Sequence, residues 1–152
     1  MVSTKKGRSF DLTASICLIL IVFISSYALE LTNWTYDLNL VDELFLTDEN
    51  VSYFSSEKEG LIRGIDAVRE HHRGFGFVEG GKPAEKELWV EDVYSYAQAD
   101  AAIVTGIWYF GDRSEDRAKT QHGPMTFVYV LKDGEFRLAH LNFANYEIEG
   151  EE

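Results

Sequence analysis

The pattern of apolar positions divides the chain into three stretches. Residues 12–29 carry no charge, and residues 16–24 (ICLILIVFI) are apolar throughout. Leu12, Ile16, Ile19, Leu20, Phe23 and Ile24 fall at helical spacing, while Cys17, Leu18, Ile21 and Val22 make the opposite face apolar as well. Lys5, Lys6 and Arg8 before this segment and Ser26-Tyr27-Ala28 after it complete the outline of a secretory signal, cleaved after Ala28. The segment also meets the lower length limit for an uncleaved anchor across a hydrocarbon layer of roughly 30 Å. A buried first helix is the third reading, and periodicity does not separate the three.

The second stretch alternates short elements. Residues 37–45 place Leu38, Val41, Leu44 and Phe45 on one helical face, with Asp37 as N-cap. A turn at residues 47–50 leads to a strand at 51–54, a polar break, a brief extended piece at 61–63 and a helix at 65–73 that Gly74 ends. Residues 74–83, rich in glycine, form a loop. The third stretch is long strands: 88–96, 101–110, 125–131 and 136–146, joined by hairpins, the last turning on Asp133-Gly134. Helices first and an antiparallel meander second specify an α+β domain. In residues 101–110 both alternating sets are largely apolar, so the helices cover one sheet face and a partner subunit is expected on the other.

Composition narrows the function classes. The 152 residues hold 26 acidic and 14 basic side chains, a net charge of −12, which disfavours a phosphate backbone as partner, so no nucleic acid is expected. A single cysteine, Cys17, excludes a disulfide framework and a thiolate metal cluster. The sequons at Asn33 and Asn50 suit a secreted chain without requiring one. His71 and His72, adjacent on a helix, diverge by about 100°. They lack the spacing of a metal site and read as a solvated helix end, so no metal is expected. Glycine-rich residues 74–80 follow a helix rather than a strand, the wrong context for a phosphate or dinucleotide loop.

The order of elements, with LTDENVSYF, GLIRGIDAVREHH and KDGEFRLAHLNFAN at their places, resembles the nuclear transport factor 2-like superfamily, nearest to the SnoaL-like small domains and the association-domain-like proteins. The resemblance covers residues 30–146, with 1–29 as the apolar N-terminal segment and 147–152 as an acidic tail. It implies a cone: helices packed in a strongly curved antiparallel sheet around a pocket, with dimerisation through the outer sheet face. It also implies a long first helix, for which residues 12–31 are available.

For activity, the resemblance implies an apolar small molecule bound in the cone, with cofactor-independent acid/base chemistry of isomerase, lyase or hydrolase type. The alternative is a non-catalytic association or ligand-sensing module. Asp92, placed by strand alternation on the face of Leu88, Val90, Tyr94 and Tyr96, is the candidate buried base if that face lines the pocket and an exposed strand residue if it does not. His140, on a face with Phe136, Leu138 and Asn142, is the candidate general acid/base, the alternative being a histidine hydrogen-bonded within the sheet. His140 and Asn142 stand where SnoaL-like sequences carry H-x-H or H-x-S. Tyr53, Tyr94, Trp108 and Tyr129 are candidate ligand contacts, joined by His122 and Asn142. No cofactor is implied. A targeting role for residues 12–29 places the chain outside the cell or at a membrane; otherwise it is cytoplasmic.

Overall fold

The computed structural model describes residues 35–147, and among these apolar residues at helical spacing build two α-helices. In α1 (Asn39–Leu44) the buried side is Leu38, Val41 and Phe45. The Asp37 carboxylate accepts the Asn39 amide at 2.9 Å and the Gly80 amide at 3.0 Å, so it starts the helix and pins the glycine-rich loop to it. β1 (Ser52–Phe54) and β2 (Ile62–Arg63) form a small hairpin before α2 (Ile65–Gly74). The buried residues of α2 are Val68 and His72, and its Arg69 forms an ion pair with Asp42 of α1. The segment 12–29, with its signal, anchor and first-helix readings, lies outside the described residues. Among those described, no helix is long and apolar enough to cross a membrane.

The expected meander is present as β3 (Glu87–Ala97), β4 (Ala101–Gly111), β5 (Gln121–Lys132) and β6 (Glu135–Phe143). β5 begins four residues earlier than the apolar run at Met125 suggests, because Gln121 and His122 already pair with Phe110 and Tyr109. A short 3-10 turn, Arg117–Lys119, sits within the β4–β5 connection. The sheet has six strands in the order β2-β1-β6-β5-β4-β3. β1 runs parallel to β6, which makes an expected antiparallel sheet mixed. That pairing joins residues far apart in sequence, and no local pattern encodes it.

Two bulges set the sheet's faces. Between Glu91 and Tyr94, β3 has one residue more than β4 has between Ile107 and Thr105. β6 has an extra residue, Ala139, between its pairings of Leu138 with Tyr129 and of His140 with Val128. Each bulge turns the side chains beyond it to the opposite face and bends the strand. Asp92 takes φ 51° in the first bulge, a conformation that an aspartate tolerates better than most residues. Gly106 lies across from it: a Cβ there would stand 2.8 Å from Val90 Cγ1 and 2.9 Å from the Glu91 carbonyl oxygen.

The inner face packs Val104, Phe127, Leu138 and Leu141 against Val41, Phe45 and Val68 of the helices and their flanks. The outer face has two regions. One carries Trp89, Tyr109 and His122 side by side in register, with rings stacked at 5.3 Å at both steps. The Arg113 guanidinium lies 5.0 Å from the Trp89 ring and that of Arg117 5.7 Å from Tyr109, so these cations cover the row. The other region leaves Tyr94, Tyr96, Val93, Ile103 and Phe54 exposed.

At Gly123, on the inner face beside Trp108, an added Cβ would meet the Ala144 carbonyl oxygen at 1.9 Å. Gly123→Ala is expected to destabilise the fold by about 2 kcal/mol, the usual cost of overpacking. Urea unfolding of the variant beside the parent chain measures this.

Candidate functional site

The bent sheet and α2 enclose a cavity of about 380 Å³. Its walls come from separate parts of the chain: Tyr53 from β1, His72 from α2, Phe75 and Phe77 from the loop after it, Trp108 from β4 and Phe143 from β6. Tyr36, Leu88, Phe110 and Leu141 complete the apolar lining. The polar lining residues besides Tyr53 and His72 are Ser55, Ser56, Glu57, Lys86 and Gln121.

His72 is the deep polar group. Its Nδ1 lies 2.7 Å from the Val68 carbonyl oxygen one turn earlier. A carbonyl only accepts, so Nδ1 carries the proton and Nε2 carries the lone pair. Burial lowers the pKa to about 4, outweighing the bond to Val68, so the ring is neutral at physiological pH. Tyr53 packs beside it with ring centres 5.9 Å apart, and burial raises its hydroxyl to about 12. Both groups therefore offer hydrogen bonds without charge. The solvated helix end expected at His71 and His72 is corrected here: His72 is buried, and His71 is half-buried between Tyr53 and Phe75. The signal was present in the sequence, because Ile65, Val68 and His72 share one helical face.

Other groups hold the opening. Gln121 donates to the Glu57 carboxylate at 2.6 Å and to the Asn145 side-chain oxygen at 3.4 Å, and Asn145 donates to the Ser56 carbonyl at 3.3 Å. Trp108 Nε1 donates to the Ala144 carbonyl at 2.8 Å. These bonds tie the loop after β1 to the segment after β6 at the cavity's edge.

Of the residues anticipated from sequence, Tyr53 and Trp108 line this cavity. Tyr129 is buried on the inner face away from the lining, its hydroxyl without a hydrogen-bond partner among the described residues and its pKa raised by burial. The others are elsewhere. Asp92 is exposed at the β3 bulge, not a buried base, because the bulge leaves Leu88 and Val90 inside and turns Tyr94 and Tyr96 out. His140 and Asn142 are on the outer face, turned from Leu138 by the β6 bulge. There His140 Nδ1 is 2.8 Å from the Ser52 hydroxyl, and its ring meets Phe54 edge-on. His122 lies in the outer aromatic row, with Nδ1 donating to the Thr120 carbonyl at 2.8 Å. Among the described residues no group of acidic, histidine or cysteine side chains could hold a metal ion.

The depressed pKa of His72 links folding to pH. The folded protein binds its proton near 4 and the unfolded chain near 6.5, so the unfolded state takes up more protons between these values. Stability from this group is complete above about pH 6.5 and declines as pH falls toward 4. The decline amounts to roughly 2 kcal/mol between pH 7 and pH 5. Unfolding curves of the parent chain and His72→Phe are expected to differ by that slope.

No family model matches the chain, and no curated protein matches it. Solved structures do. A nuclear transport factor 2-like superfamily protein from Salmonella enterica is 20% identical with a TM-score of 0.62, over 91% of this chain and 96% of that one. A nuclear transport factor 2-like protein from Pseudomonas putida is 14% identical with a TM-score of 0.66, over 90% of this chain and 91% of that one. The association domain of C. elegans CaMKII is 18% identical with a TM-score of 0.60, over 89% and 99%. With the curved six-stranded sheet and its helices, these similarities identify the chain as having the nuclear transport factor 2-like fold.

Proposed function

We propose that this domain binds an apolar small molecule in the cavity between α2 and the inner sheet face. The observation that carries the reading is an aromatic-walled space of about 380 Å³ with two uncharged polar groups, His72 and Tyr53, in its lining. Ligand sites have this size and this ratio of apolar wall to orienting polar groups. His72 takes the place assigned from sequence to Asp92 and His140 as the group for hydrogen bonding or proton transfer. Glu57 is the carboxylate in the lining, and it is exposed and bonded to Gln121. The arrangement supports binding or ligand sensing more directly than carboxylate-based catalysis. Full-length protein is expected to bind N-phenyl-1-naphthylamine, a neutral apolar fluorophore, with micromolar affinity. Leu88→Trp, which fills the cavity from its wall, is expected to weaken binding at least about tenfold, a loss of about 1.4 kcal/mol. Equal fluorescence enhancement by the two proteins would count against the cavity.

The second reading is self-association through the outer face. Tyr94 is 67% exposed, Tyr96 51% and Ile103 42%, and the three are neighbours in register on β3 and β4. Apolar area of this kind on a sheet face marks an interaction site, and the similarity to an association domain agrees with it. Ile103→Lys is expected to reduce the mass measured by light scattering from dimer to monomer. An unchanged mass would exclude this face as the interface.

A further inference from the structure

The cavity separates charge by depth. His72 and Tyr53, its buried polar groups, are neutral. The charged lining residues are Glu57 and Lys86, and both are exposed. Their situations differ. The Glu57 carboxylate is already engaged by the Gln121 amide at 2.6 Å. The Lys86 ammonium has no carboxylate within 4.0 Å among the described residues, as is also true of Lys82, whereas Arg69, Arg73, Arg113, Arg117, Lys132 and Arg137 each have one. Instead it stands 5.7 Å from the centre of the Phe110 ring, itself part of the cavity wall. Lys82 repeats the arrangement at 5.2 Å from the Tyr36 ring, another wall residue. Two ammonium groups thus lean over aromatic walls in a chain whose net charge is −12. The acidic groups named beside these walls are Glu85, which contributes to raising the Tyr36 pKa, and Glu57 in the lining.

An ionised group cannot enter the deep cavity without losing hydration that neutral His72 and Tyr53 do not replace. An ammonium at the edge of an apolar wall can pair with an anion that stays partly in water. Resting on the reading of the cavity as a small-molecule site, we propose that its ligand is an organic monoanion: an apolar aromatic or alicyclic body held inside, with a carboxylate or similar anionic group at one end on Lys86 and within reach of Lys82.

A matched pair of fluorophores tests this, because 1-anilinonaphthalene-8-sulfonate is N-phenyl-1-naphthylamine with a sulfonate added. Titrated into full-length protein at low salt, the sulfonate is expected to bind about fivefold more tightly than the neutral probe, as one partly exposed ion pair allows. The advantage should shrink in added salt. Lys86→Gln is expected to bring the ratio to about one, and Glu57→Gln to raise it. Leu88→Trp and, independently, Leu141→Phe should reduce the signal from both probes, which assigns it to the cavity. Equal binding of the two probes by the parent chain, or an unchanged ratio in Lys86→Gln, overturns the assignment of charge while leaving the cavity reading intact. Binding of neither probe, or signals indifferent to both filling variants, overturns the two together.

Discussion

Two extra residues in the sheet decide which face Asp92's strand neighbours, Tyr94 and Tyr96, and the β6 candidates, His140 and Asn142, end up on. A strand shows alternate residues to opposite faces, and one inserted residue reverses the order beyond it. The β3 bulge at Asp92 keeps Leu88 and Val90 inside and sends Tyr94 and Tyr96 out. The β6 bulge at Ala139 keeps Leu138 inside and sends His140 out. Each bulge also bends its strand. The first is accommodated by Gly106, where a side chain would collide with Val90 and the Glu91 backbone. A missing Cβ on one strand and a left-handed aspartate on its neighbour are thus two halves of one device.

Within that frame the cavity is polar without being charged. Burying an ion is costly, and the two titratable groups placed deepest respond by staying neutral, the histidine by holding its proton affinity down and the tyrosine by holding its own up. The α2 backbone fixes the imidazole tautomer through the Val68 carbonyl, which accepts from Nδ1. Charge stays at the opening, where water screens it and where the hydrogen bonds among Glu57, Gln121, Asn145 and Ser56 join two segments remote in sequence.

The outer face shows why apolar alternation alone does not specify a partner. Trp89 is a large aromatic residue that points outward, yet it is only 4% exposed. Tyr109 stacks on it and Arg113, itself paired with Glu87, lies over its ring. The chain covers that region with its own cations. Across the same face, Tyr94, Tyr96 and Ile103 have no such cation over them among the described residues. The second face is therefore divided between a part closed internally and a part open to another surface.

The sequence by itself determined the elements and their order: α1 and α2 from helical spacing, the meander from alternating strands and the Asp133-Gly134 turn, and the α+β class from their succession. These are local properties, carried by propensity and periodicity over a few residues. Of the four aromatic residues alike in sequence pattern, Tyr53 and Trp108 line the cavity while Tyr94 and Tyr129 do not, so residue type and strand spacing did not separate them. The tertiary structure alone decided the parallel pairing of β1 with β6 and the positions of Asp92, His140 and Asn142. Each depends on contacts between segments distant along the chain or on a single-residue change of register. Alternation read along one strand cannot detect a register change, because a bulge exists only relative to the neighbouring strand.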